Sequence, residues 1–218
     1  WSECTLRGGS QAASASSAEG ISTRSEGRFL FGYLLGALRA PIVGLHWIKV
    51  DLGYRQGRYA AIEDDLRALA ELNPYSERVW DYAAWHQAFN VAGRSRSPSD
   101  RFERRLEGLR LARAGLALRP DSRMLLVRLE QVGRALREID AVRFARVTRG
   151  RPPEAEVFAG YRRMLARPDA VAEDHVFLAG AALGWAVRLV ADGRPGEARP
   201  VLAVGTRALT RYAAIAAG

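Results

Sequence analysis

Apolar residues recur at helical spacing along most of the chain. Tyr59, Ile62 and Leu66, for example, fall on one face of a helix. Glycine and proline fall between such stretches, and no stretch alternates apolar and polar positions for long enough to indicate a strand. We therefore predict an all-α protein. The predicted helices are residues 28–40, 42–55, 58–72, 77–92, 100–118, 122–147, 154–166, 171–191 and 195–215.

The breaks between these helices have chemical causes. Helices are expected to end at Asn73 and Arg119, because each precedes a proline and is therefore pushed out of the α region. The polar segment 93–100 ends in Asp100, which we predict to cap the next helix, with Glu103 completing a capping box. Connections as short as these predict antiparallel neighbouring helices.

The first 48 residues differ from the rest of the chain. Seventeen of residues 1–28 are Ser, Gly, Ala or Thr, a composition that predicts a disordered tail before a helical domain at 29–218. Residues 29–48 are about as long as a membrane span. Arg39 and Pro41 instead favour two short helices that hinge at Pro41 and pack into the domain, and a membrane span remains the alternative.

Self-similarity is the strongest signal in the chain. Segment 57–74 begins with Gly57, continues as an amphipathic helix and ends in Asn-Pro. It resembles the second half of a tetratricopeptide repeat, in which a glycine with positive φ forms the turn between two antiparallel helices. A second copy of the ending spans 108–120, and a weaker copy of the opening spans 192–198. The resemblance implies a tetratricopeptide-like α-solenoid of antiparallel helix pairs, with a concave face formed by the first helix of each pair.

A finer resemblance covers residues 36–93. The segments that carry it are 35–40, 46–49, 57–59, 72–74, 79–80 and 84–90. In order and spacing they are similar to bacterial tetratricopeptide-like proteins of unassigned function, which often carry an N-terminal membrane anchor. Leu38, Lys49 and Phe89 stand where those proteins carry phenylalanine, arginine and tyrosine. The resemblance implies a helical-repeat domain, favours the cell envelope over the cytoplasm, and supplies no catalytic residues.

The composition offers little catalytic chemistry. One cysteine excludes a disulfide framework, and three scattered histidines leave little for a metal site. The chain contains no phosphate-binding glycine loop after a strand, no nucleophile elbow and no HExxH. The acidic run 63–65 points successive side chains in different directions around a helix, so it predicts a solvated face rather than a carboxylate pair. We expect a protein without enzymatic activity, cofactor or metal.

The positive charge is concentrated in one third of the chain. The formal net charge is +9, and residues 93–167 contain 19 arginines against nine acidic residues, a local net of +10. A concentrated basic field attracts acidic partners, phospholipid headgroups or nucleic acid. The alternative is a solvated arginine-rich face whose aliphatic stems cover apolar surface. No recognition helix, aromatic stacking platform or RNA-binding module accompanies the arginines, which disfavours nucleic acid.

These observations predict a protein–protein interaction scaffold, as a subunit of an envelope-associated complex, that binds a peptide, a helix or an acidic surface. The alternative is a basic module that binds an anionic membrane surface or nucleic acid. His86 and Asn90 lie four residues apart on one helix face, where they bind each other or a ligand, and exposed aromatic edges would anchor a partner. The predicted partner-binding residues are Tyr54, Trp80, Tyr82, His86, Asn90, Arg101, Arg104 and Arg105.

Overall fold

The structure is a computed structural model that describes residue 36 and residues 38–217. The predicted tail at 1–28 and the first part of segment 29–48 lie outside these residues. The described residues are helical apart from short connections and contain no strand, which confirms the prediction of an all-α protein.

The first described helix, α1, covers residues 38–55. Residues 77–94 form one continuous helical segment. It consists of α3 (Glu77–Trp85), a π-helical turn (His86–Val91) and α4 (Ala92–Arg94). The helices that follow α1 are α2 (Tyr59–Leu72), α3 (Glu77–Trp85), α4 (Ala92–Arg94), α5 (Pro98–Leu118), α6 (Arg123–Ile139), α7 (Ala141–Thr148), α8 (Pro153–Leu165), α9 (Ala172–Ala191) and α10 (Pro195–Ala216).

Helix α1 runs without interruption through Pro41, so the predicted hinge at that residue is wrong. The pyrrolidine ring holds φ near a helical value. Proline also lacks a backbone N–H and crowds the carbonyl four residues earlier, yet α1 continues through Pro41.

Two capping residues also differ from the prediction. Asp140 has an extended φ of −156° and breaks the predicted helix 122–147. Its carboxylate accepts a hydrogen bond from the backbone N–H of Arg143 (2.8 Å) and thereby caps α7. Ser97, not Asp100, caps α5, because the Ser97 hydroxyl accepts a hydrogen bond from the backbone N–H of Asp100 (3.0 Å).

Adjacent helices pack against each other in pairs, among them α2 with α3, α5 with α6, α8 with α9 and α9 with α10. Helices α3 and α6 also contact each other, and each contacts α5. One apolar cluster extends from Ala84 in α3 through Leu129 in α6 to Ala208 in α10. A second joins Val50 of α1 to Ile62 of α2. The core therefore consists of one large cluster from α3 to α10 and a smaller cluster between α1, α2 and α3.

Two glycine turns have the same backbone geometry. Gly57, between α1 and α2, has φ 68°, and Gly193, between α9 and α10, has φ 74°. In both turns the glycine N–H donates to the carbonyl three residues back (3.0 Å), and the next N–H donates to the carbonyl five residues back (2.8 Å). This is the Schellman arrangement, in which a left-handed residue ends a helix. The expected positive φ of Gly57 is confirmed.

Three proline turns also resemble one another. Asn73 and Arg119, each followed by proline, end α2 and α5 with φ near −135°, as the residue before proline requires. The backbone N–H three residues after each of them donates back to its carbonyl (3.1 Å). Arg167 precedes a third proline, and its carbonyl likewise accepts a hydrogen bond from the backbone N–H three residues later, that of Ala170 (3.3 Å). This third turn was not predicted, although Arg-Pro-Asp stands at both 119–121 and 167–169.

Replacement of the turn glycine, Gly57→Val, is expected to lower the free energy of unfolding by about 1–2 kcal/mol, because a β-branched residue is strained at positive φ. Space is not the cause, since a Cβ atom there would approach Tyr59 only to 3.9 Å. Urea denaturation measures the effect. Gly57→Asn is the control and should lose less, because asparagine tolerates the left-handed region. An unchanged midpoint for Gly57→Val would contradict the need for glycine.

Candidate functional site

An aromatic cluster lies where α1, α2 and α3 meet. Its neighbouring rings lie with centroids 5.5–6.4 Å apart, at separations that stabilise a fold beyond simple burial. Tyr54 is 41% exposed, and Tyr82 packs edge-on against Trp47. The members of the aromatic cluster are Trp47, Tyr54, Tyr59, Tyr82 and Trp85, together with the His86 ring.

His86 is fully buried and supports this cluster from within. Its Nε2–H donates to the carbonyl of Tyr59 (3.1 Å), and its Nδ1 accepts a hydrogen bond from the side-chain amide of Asn90 (3.3 Å). Burial lowers the pKa of His86 below its ordinary value, which favours this neutral form. The sequence left two possible partners for His86 and Asn90, namely each other or a ligand. In the structure the two side chains bind each other. His86 thereby links the π-helical turn to α2, and Asn90 holds the His86 ring in place.

Trp80 lies apart from the aromatic cluster. Its indole N–H donates to the carbonyl of Pro74 (2.7 Å), and its ring lines a separate cleft of about 370 Å³ between α2, α3 and α5. Trp80 therefore shares no surface with Tyr54 and Tyr82, and the three predicted aromatic contacts do not form one patch.

The three predicted arginines of α5 also diverge. Arg104 is exposed and lies 3.8 Å from Glu63 of α2. Arg101 donates to the carbonyl of Ser95 (3.4 Å). Arg105 is half-buried and points the opposite way, donating to a backbone carbonyl of α6 (2.5 Å). The expectation that all three lie on a free surface is wrong for Arg105, because its side chain ties two helices together.

Ion pairs, several of them between helices, occupy much of the basic third. Ten of its 19 arginines pair with carboxylates of the described residues. Arg123 reaches the buried Asp174 of α9 (2.5 Å), and Arg113 reaches Glu156 of α8 (2.6 Å). Several partners, including Asp174, lie outside residues 93–167. The net charge of +10 on residues 93–167 therefore does not form a continuous surface of unpaired arginines.

A groove of about 380 Å³ opens between α3 and α6, and we name it the α3–α6 groove. Trp85, which also belongs to the aromatic cluster, forms one wall. Arg128 spans the two helices and holds Asp81 through two hydrogen bonds (2.8 and 3.1 Å). The α6 residues of this groove were not predicted as binding residues, although their spacing puts them on one helix face. The groove is lined by Trp85, Phe89, Arg128, Gln131, Arg134, Ala135 and Glu138.

Helix α9 is the one described helix long and apolar enough to cross a membrane, with a mean hydropathy of 1.3. It packs against α8 and α10 and contributes Leu178, Ala182 and Leu189 to the core. Of this apolar helix 39% is buried, and Leu183, Val187 and Val190 are exposed, so α9 buries one face and leaves apolar side chains on another. Among the described residues, no group of three or more His, Cys, Asp or Glu side chains is placed to hold a metal ion.

Comparisons of the chain with protein-family models, with curated proteins and with solved structures give no match. The functional interpretation of the α3–α6 groove therefore depends on its residues and their geometry.

Proposed function

We propose that the described helices form a tetratricopeptide-like α-solenoid and that the protein is a non-enzymatic scaffold for protein–protein interaction. The matching Schellman turns at Gly57 and Gly193 support this assignment. The three proline turns add to it, because they recur after 46 and 48 residues, as successive units of one architecture would. In this scheme α3 and α6 are first helices of neighbouring pairs, and the groove between them belongs to the concave face.

The α3–α6 groove is the observation that carries the proposal. It places the rings of Trp85 and Phe89 beside the exposed Arg134. Tryptophan and arginine are enriched at the centres of protein interfaces. The exposed ion pair of Arg134 with Glu130 (3.0 Å) is worth little, so a partner carboxylate can replace it. The fitting partner is a peptide or helix that inserts an apolar side chain between the rings and a carboxylate toward Arg134.

The location of the complex is part of the same proposal. The resemblance of residues 36–93 to bacterial tetratricopeptide-like proteins with N-terminal anchors supports a subunit of an envelope-associated complex. The alternative is a basic module that binds an anionic surface. The two hypotheses differ in how partner binding depends on salt, because binding to phosphates weakens steeply as salt is added.

A photo-crosslinker placed at Gln131 is expected to capture a defined partner from cells, and Arg134→Glu should weaken the purified complex by about tenfold or more. Arg110→Glu is the matched control, because Arg110 is also an exposed helical arginine paired with a carboxylate one turn away. The complex should survive added salt. Equal effects of Arg134→Glu and Arg110→Glu would contradict binding in the groove, and steep loss with salt would favour the basic module.

A further inference from the structure

A second cleft, of about 440 Å³, lies between α8, α9 and α10. Three arginines line it: Arg162 from α8, and Arg207 and Arg211 from α10. No carboxylate lines the cleft, and none of the three arginines pairs with a carboxylate of the described residues. We name it the arginine cleft.

The arginine cleft contrasts with its surroundings. Arg167, just beyond the end of α8, is held by both Asp121 and Asp169. The chain from residue 198 to 217, by contrast, carries three arginines beyond the first turn of α10 and no acidic residue. Three positive charges around one concavity without a counter-charge create a local field that attracts anions.

The chemistry of the cleft wall narrows the class of anion. A guanidinium group presents paired N–H donors that match the oxygens of a phosphate, so several arginines suit a phosphate group with two negative charges. The buried side chains of Leu178 and Ala208 form an apolar floor between the arginines. His175 also lines the cleft, and its buried Nδ1 has no hydrogen-bond partner among the described residues.

We propose that the arginine cleft binds a phosphate monoester that carries an apolar group. The phosphate contacts the three arginines, and the apolar group covers Leu178 and Ala208. Two sources offer this chemistry: a small soluble phosphate monoester, and the headgroup of phosphatidic acid in a membrane. The cleft is built from α8, α9 and α10, whereas the α3–α6 groove uses none of these helices. The two proposals can therefore fail separately.

Hexyl phosphate, titrated into the full chain by calorimetry at near-physiological salt, is the soluble probe. Hexanol, which lacks the phosphate, should not bind. Sedimentation with phosphatidylcholine vesicles, with and without phosphatidic acid, tests the membrane source. The double variant Arg207→Ala/Arg211→Ala should weaken binding by about tenfold or more, because two charge-assisted contacts are lost. Arg199→Ala is the matched control on the same helix, since Arg199 is exposed and does not line the cleft.

Binding of hexyl phosphate that depends on Arg207 and Arg211 supports the proposal with a soluble ligand. Binding only to vesicles with phosphatidic acid, with the same dependence, supports it with a lipid headgroup. The proposal is overturned if neither probe binds, or if Arg199→Ala weakens binding as much as the double variant. It is also overturned if a single-stranded oligonucleotide binds through these arginines and hexyl phosphate does not displace it. Circular dichroism of each variant shows that the helices remain folded.

Discussion

Gly108→Val is expected to lower the free energy of unfolding by about 3 kcal/mol, and the melting temperature by roughly 6–12 °C for a domain of this size. Gly108 lies on the buried face of α5, where α5 crosses α3. A Cβ atom at this position would lie 2.7 Å from the carbonyl oxygen of Ala84 and 2.8 Å from the Cβ atom of Ala88. The obstacle includes helix backbone, which cannot turn aside as a long side chain can. The added side chain must therefore push the two helices apart.

Gly180→Val in α9 is the matched control for this substitution. Gly180 is also an interior helix glycine, but no atom beyond its own helical surroundings lies within 4 Å of a Cβ atom placed there. Valine has the higher helix propensity, so the stability should stay within about 0.5 kcal/mol. Thermal unfolding of the two variants gives the comparison. Equal melting temperatures would mean that α3 and α5 do not approach each other as closely as the structure shows.

The sequence predicted most helices, because apolar periodicity and proline positions reflect the local backbone structure. It did not predict the π-helical turn, where the buried His86 donates to a carbonyl 27 residues earlier in the chain, because local periodicity does not show such a distant contact. The close approach at Gly108 was missed for a similar reason. Periodicity shows which face of a helix is buried, and it does not show which neighbouring helix meets that face. The break at Asp140 had a local signal, a capping residue, that the continuous apolar pattern around it obscured.

The candidate site was predictable only in part. The aromatic residues Tyr54 and Tyr82 do lie together, since both rings pack against Trp85 and only α2 separates their helices in the chain. Trp80 faces elsewhere, because its indole is fixed by the Pro74 carbonyl. The arginines were the hardest residues to assign from sequence. Their partners lie as many as 51 residues away, as Asp174 does from Arg123, so a local count of charges does not show which of them are already paired.

Arg105→Glu is expected to lower the free energy of unfolding by about 2 kcal/mol. The Arg105 guanidinium donates to the carbonyl of Ala135 and lies 5.9 Å from the ring centroid of Phe89. Partial burial lowers the pKa of Arg105 below its ordinary value, because the guanidinium group is partly desolvated. A carboxylate in its place would face a carbonyl oxygen, and neither group could donate. Arg105→Gln should recover part of the loss, because an amide retains a donor.

Arg104→Glu is the comparison that separates charge from structure at this helix. Its side chain is 49% exposed and lies 3.8 Å from Glu63, so the substitution should change stability by no more than about 0.5 kcal/mol. Urea denaturation of the two single variants measures the difference, and equal losses would contradict the structural role of Arg105. If the difference appears, a variant with Arg101, Arg104 and Arg105 all replaced by glutamate cannot test for an acidic partner. Its lost stability at Arg105 would also lower binding, whether or not a partner contacts these residues. Arg104→Glu alone then tests the charge, since it reverses one exposed arginine and leaves the contact between α5 and α6 intact.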